Sequence, residues 1–102
     1  MTEPLAYLNG AFIPFSEAKL AVTDLGIVYG ASITEMVRTF SHRLFMLDKH
    51  VERLFSALEY VCIDPVPEKS VLKQICETLV AQNAPLLPAA HDRGVTMFIT
   101  AG

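Results

Sequence analysis

Apolar residues recur along this chain in two rhythms, and the changes of rhythm divide it into segments. From Val51 onward the apolar positions Leu54, Phe55, Leu58, Val61 and Cys62 fall three and four apart, the stripe of a helix that buries one face. Asp48 stands where a helix cap belongs, with Leu47 before it and Glu52 near the first turn. The run Asp64-Pro65-Val66-Pro67 stops this helix, because proline lacks the amide the ladder needs, and Pro67 with Glu68 is expected to open another. The second helix carries Val71, Leu72, Ile75, Cys76, Leu79 and Val80 on one stripe and ends near Asn83.

Around these helices the pattern shortens to strand length. Leu5 to Leu8 and Ala11 to Phe15 flank Asn9-Gly10, a pair that tolerates positive φ and closes tight hairpins. Ser16 to Lys19 reads as a turn or a single helical turn, with Ser16 available to cap it. Ala21 to Ser32 is mostly apolar but keeps neither period, and reads as a loop in which Gly26 and Gly30 bracket Tyr29. Ile33 to Phe40, rich in β-branched and aromatic residues, is a strand; Ser41-His42-Arg43 turns it, and Leu44 to Leu47 returns as its partner. Ala84 to Gly94 holds two prolines and reads as a loop, and the apolar run Val95 to Thr100 reads as a strand buried on both faces. Strand pairs, two helices and a final strand predict an α+β two-layer domain, an antiparallel sheet covered by two helices. A strand so close to Gly102 leads us to expect a further domain beyond it.

Composition narrows the field. With 102 residues, 52% hydrophobic and 19% charged, the chain makes one domain with a core, and disorder throughout is excluded. The apolar share also suggests surface meant for a partner. A net charge of −3, with eight basic residues scattered along the chain, argues against a nucleic-acid partner. No apolar run approaches the length of a membrane span, and Met1-Thr2-Glu3-Pro4 is no secretory leader, so a cytoplasmic protein is expected. Cys62 and Cys76, each in an apolar helical pattern, are expected to be buried reduced thiols; a metal site would need close Cys/His pairs.

Candidate chemistry is sparse. No nucleophile elbow, phosphate loop or His-Glu-x-x-His occurs, Gly26 and Gly30 are too few for a dinucleotide fingerprint, and His42, His50 and His91 are far apart, as surface or capping histidines are. At about 100° per residue Arg53 lies roughly 140° from the centre of its helix's apolar stripe, on a face shared with Lys49, Glu52 and Glu59. That position suits a solvated guanidinium, or one that with His50 at i−3 grips an anion near the helix start. In the strand, Ile33, Glu35, Val37 and Thr39 share one face and Thr34, Met36, Arg38 and Phe40 the other; such charges either guard an edge strand or line a polar cleft. Tyr29 is either a core aromatic or a donor in a pocket wall.

Three blocks carry a resemblance: Tyr7-Leu-Asn-Gly, then Asp24-Leu-Gly-Ile-Val-Tyr-Gly-Ala-Ser-Ile-Thr-Glu-Met-Val-Arg38, then Leu44-Phe-Met-Leu-Asp-Lys-His-Val-Glu-Arg-Leu54. In order and spacing, from about Ala6 to Val61, they resemble the N-terminal domain of the class IV (fold-type IV) pyridoxal-phosphate aminotransferases, which include branched-chain and D-amino-acid aminotransferases and aminodeoxychorismate lyase. The resemblance implies that Arg53, in His-x-x-Arg-Leu, grips the phosphate of pyridoxal 5'-phosphate, and that Tyr29, Thr34 and Arg38 line the substrate pocket. It implies transfer of an amino group between an amino acid, branched-chain-like, and a 2-oxo acid, with lyase chemistry on the same scaffold as one alternative; the other, of a different class, is a non-catalytic domain that associates through its exposed apolar surface. The resemblance also implies a homodimer. Two departures matter: Thr34 replaces a bulky aromatic common in relatives, and Thr100-Ala101-Gly102 lacks the arginine of the D-amino-acid members' Thr-Arg-Gly. The family's Schiff-base lysine lies in a second, larger domain, and Lys19, Lys49, Lys69 and Lys73, in turns or on polar helix positions, are not its counterparts; the 102-residue chain alone is therefore expected to be inactive.

Overall fold

The computed structural model describes residues 3–64, 67–88 and 90–102. Asn9 and Gly10 take φ values of 48° and 95°, and that pair of left-handed residues joins β1 (Leu5–Leu8) to β2 (Ala11–Pro14) as the sequence predicts. A 3-10 turn follows at Phe15–Glu17; Ser16 does not cap it but donates its hydroxyl to Glu3 at 3.1 Å. Within the segment expected to be loop, Leu25–Val28 forms a single helical turn, α1. Asp24 makes it possible, its carboxylate accepting the Gly26 amide at 2.8 Å.

β3 (Ser32–Phe40) is the centre of a three-stranded antiparallel sheet in the order β4-β3-β5, with β4 at Arg43–Leu44 and β5 at Gly94–Thr100. β1 and β2 form a separate two-stranded sheet. The partner strand expected over Leu44 to Leu47 is cut short because Leu47 is buried as the first residue of α2 (Leu47–Tyr60). Burying it moves the helix start upstream. Met46, left-handed at φ 56°, takes the cap position expected for Asp48, and Asp48 instead bonds Lys73 at 2.9 Å. α3 spans Lys69–Asn83, capped at Glu68 rather than opening at Pro67, and a 3-10 turn at Ala84–Leu86 extends it into the expected loop. Pro65 and Val66, part of the expected helix stop, lie outside the described residues.

Both helices lie on one side of the β3 sheet, an α+β two-layer arrangement. Val37 from β3 and Val51, Leu54 and Leu58 from α2 are fully buried, and Leu72, Cys76 and Met97 close the core around them. The outer face of the sheet is bare, which corrects one expectation: β5 alternates, with Met97 buried and Thr96 and Phe98 exposed, rather than being covered on both sides. Cys62 is a second correction. α2 ends at Tyr60, Cys62 turns left-handed at φ 61°, and its side chain leaves the core, as does Val61. Val71, on the outer margin of the α3 stripe, is likewise exposed. The loop before β5 is tied to β3 through Thr39, whose hydroxyl donates to Asp92 at 2.9 Å and accepts the Arg93 amide at 2.9 Å. The His42 amide and that hydroxyl hold the Asp92 carboxyl below its ordinary range.

Candidate functional site

Alternation along β3 sends Glu35, between Ile33 and Val37, toward the helix layer, where it is buried with 8% of its surface exposed. A carboxylate taken from water needs donors around it. α2 supplies them from successive turns. The Arg53 Nε donates to Glu35 Oε2 at 3.0 Å, its Nη2 donates to Oε1, and His50 Nδ1 lies 2.6 Å from Oε1. An ionised carboxylate only accepts, so the proton between them belongs to Nδ1. The bidentate Arg53 contact, opposed in part by burial, holds the Glu35 carboxyl below its usual value, and the same contact raises the guanidinium.

This arrangement uses one edge of Arg53. Nη1 and the second Nη2 hydrogen remain, and 70% of the side chain is exposed, so the same guanidinium can take an anion from solvent while Glu35 fixes its plane. The expected alternatives for Arg53, solvated face or anion grip, are thus both incomplete: it is exposed, yet anchored inward. The expected surface role of His50 is corrected as well, since it is half-buried against Glu35. Glu35 is no edge guard, because β3 is the central strand.

The other candidates lie apart from this cluster. Thr34 and Arg38 project from the bare face of β3, opposite the helices; Arg38 stacks 4.1 Å over the Phe40 ring and its Nε donates to the Thr39 carbonyl at 3.3 Å. Tyr29 caps the C-terminal end of α1 and is 80% exposed, so it is not a core aromatic. For Glu35 sequence reasoning offered an edge guard or a cleft lining, and missed its part as the buried partner of His50 and Arg53. Its signal was a charge at a core-facing strand position, matched by His50 and Arg53 one turn apart on the next helix.

The lysines are all engaged or exposed. Lys69 pairs with Glu52 at 3.0 Å and Lys73 with Asp48, while Lys19 and Lys49 face solvent. None is the desolvated amine that could anchor a carbonyl cofactor covalently. Among the described residues no group of three or more His, Cys, Asp or Glu side chains could hold a metal ion, and no helix is long and apolar enough to cross a membrane.

No family model matches the chain. It is 36% identical over 97 residues, 94% of its length, to a Methanocaldococcus jannaschii protein provisionally named a branched-chain-amino-acid aminotransferase, and 32% identical over 77 residues to the D-alanine aminotransferase of Staphylococcus aureus. It spans 32% and 27% of these two relatives. Among solved structures, the T.th. branched-chain amino acid aminotransferase with pyridoxamine 5'-phosphate superposes with a TM-score of 0.76 at 27% identity, over 80% of this chain and 28% of that one. The Escherichia coli branched-chain enzyme gives 0.85 at 18% identity over 100% of this chain and 33% of that one, a likeness of fold. In sequence and in fold, the chain belongs with the N-terminal domain of the fold-type IV (class IV) aminotransferases. The T.th. enzyme is also solved with N-(5'-phosphopyridoxyl)-L-glutamate and with 4-methylvaleric acid.

Proposed function

We propose that this chain is the small domain of a two-domain, pyridoxal-phosphate-dependent aminotransferase, a cytoplasmic homodimer that moves an amino group between a branched-chain-like amino acid and a 2-oxo acid. The observation that carries the reading is Arg53, bonded along one edge to buried Glu35 with its remaining donors exposed. A phosphate dianion fits those donors, and the helix start behind them favours negative charge. Bound there, the cofactor would supply the electron sink for chemistry at the amino acid's α-carbon. The chain's own part is to orient and hold. Glu35 keeps the guanidinium from rotating, and His50 keeps Glu35 in place. Tyr29, Thr34 and Arg38 would form one wall of the substrate pocket, completed by residues from elsewhere in the larger protein. The covalent anchor would also come from that second domain, so the 102-residue chain alone would not turn over substrate.

The test is retention of the cofactor by the complete enzyme. Arg53→Ala should weaken pyridoxal 5'-phosphate binding about 10- to 100-fold, the worth of one or two hydrogen bonds to a charged group. Retention through dialysis equal to that of the unaltered enzyme would return Arg53 to a purely structural role.

A further inference from the structure

α1 is too short and too open to hold itself together. Four residues lie far below the length at which a helix persists unaided, and one of the four is Gly26. Leu25, Ile27 and Val28 are all exposed, so apolar packing does little to fix the turn. What fixes it is a row of hydrogen bonds to the end of β5. The Thr100 hydroxyl donates to Asp24 Oδ2 at 3.1 Å, while Oδ1 of the same carboxylate accepts the Gly26 amide at 2.8 Å. The Leu25 amide donates to the Gly102 carbonyl at 2.8 Å, and the Ala101 amide donates to the Ala31 carbonyl at 3.0 Å.

Thr100 uses both branches of its side chain in this joint. A carboxylate only accepts, so the hydroxyl hydrogen points to Asp24, and the oxygen is left to accept the Gly102 amide at 3.2 Å. The methyl lies against the backbone of Gly26, where an added Cβ would stand 2.5 Å from Thr100 Cγ2. Asp24 in turn starts α1, its carbonyl accepting the Ile27 and Val28 amides at 2.8 and 2.9 Å.

Tyr29 stands between these ties. Its amide donates to the Leu25 carbonyl at 3.0 Å, and Gly30, at φ 67°, turns the chain so that the Ala31 amide reaches the same carbonyl at 3.1 Å. Leu25 before it and Ala31 after it are thus both bonded to residues 101–102. With 80% of its surface exposed, Tyr29 has its place set by this backbone rather than by packing around its ring.

We propose that Thr100 and Asp24 are positioning residues for amino-group transfer: their contact holds α1 where Tyr29 closes the wall of the substrate pocket. Tyr29 lines that pocket on the reading above, on which the proposal rests, and neither Thr100 nor Asp24 needs to touch substrate. Loosening the contact misplaces the phenol and leaves the phosphate grip of Arg53, on α2, as it was. A misplacement of about 1 Å at such a group costs up to about a hundredfold in rate.

Steady-state kinetics of the complete enzyme, with leucine as donor and 2-oxoglutarate as acceptor, decide the matter. Thr100→Val keeps the shape and removes the hydroxyl; it should lower kcat/KM about tenfold, with retention of pyridoxal 5'-phosphate unchanged. Thr100→Ser restores the hydroxyl and should recover kcat/KM to within about threefold of the parent. In a Tyr29→Ala background Thr100→Val should add less than about a twofold loss, because it acts through a side chain no longer there. Asp24→Ala, which removes the other half of the contact, carries the same series if Thr100→Val does not fold. A full further loss in the Tyr29→Ala background overturns the proposal, as does cofactor loss in step with activity. So does a Thr100→Val enzyme as active as the parent when Tyr29→Ala is impaired, which leaves the pocket reading standing. Unaltered kinetics in Tyr29→Ala sink the pocket reading and the proposal with it.

Discussion

The two thiols of this chain differ in environment because α2 ends where it does. Cys76 lies on the buried face of α3 at 1% exposure, and burial pushes its thiol up to about 11. At neutral pH it is protonated as well as covered, so it is a poor nucleophile twice over. Cys62 stands in the left-handed turn after α2 and is exposed. A maleimide reagent at about pH 7 should therefore modify one thiol per folded chain within minutes, with Cys62 carrying the label in a peptide digest and Cys76 reacting only in denaturant. Equal labelling of both in native buffer would refute the core packing described here. Arg53 was legible as a candidate from its flanking residues. Its partner Glu35 was not, because strand alternation shows that a charge faces inward but not which helix residues meet it; a contact across two elements is set by packing, not by spacing in the chain.

At the scale of elements, local chemistry was readable and element ends were not. Asn9-Gly10 specifies its hairpin by itself, and the Val51, Leu54, Leu58 stripe specifies α2 by period alone. The start of α2 depends on burying Leu47, and the one-sided covering of β5 depends on helices packing on one face. A run such as Val95-Thr-Met-Phe-Ile99, apolar at nearly every place, carries no alternation from which to read that. The glycines offer a sharper test of element contacts. In α1, alanine ordinarily favours a helix over glycine by about 1 kcal/mol. At Gly26, however, an added Cβ would sit 2.5 Å from Thr100 Cγ2 and 3.0 Å from Asp24 Oδ1. Thr100 cannot swing aside without giving up its 3.1 Å bond to Asp24, so Gly26→Ala is expected to destabilise by about 1–3 kcal/mol. At Gly94 the nearest atom is the Met36 Cε, at 2.8 Å, the free end of a flexible and exposed side chain. Gly94→Ala should fall within about 0.5 kcal/mol of the parent. Urea unfolding midpoints for the two variants measure the contrast, and equal midpoints would mean that α1 and β5 are not in close contact at Gly26.

For the molecule as a whole, the helix layer and the sheet layer meet chiefly through apolar side chains, and Glu35 is the buried charge between them. Its folded carboxyl titrates below the ordinary glutamate value of 4.5, chiefly because Arg53 donates to it. Unfolded, it returns to that ordinary value. The proton is therefore bound more readily by the unfolded chain, and stability rises with pH across the interval between the two values. Above 4.5 the stabilisation is fully present; as pH falls through the lower folded value it is lost. Asp92, lowered by the His42 amide and the Thr39 hydroxyl, acts in the same sense, so acid unfolding should reflect both groups. Glu35→Gln separates them, keeping the shape of the side chain but removing its charge and one of its acceptors. At about pH 7 the variant should be less stable by about 1–2 kcal/mol, a modest figure because solvent screens the exposed side of Arg53. The two proteins should converge as the pH falls below the ordinary glutamate value and through the lower folded one, where the native carboxyl loses its charge too. Denaturant unfolding of parent and variant across that range reads the difference directly. A gap that stays constant from neutral to acid pH would mean that Glu35 acts in the fold through its shape and not through its charge.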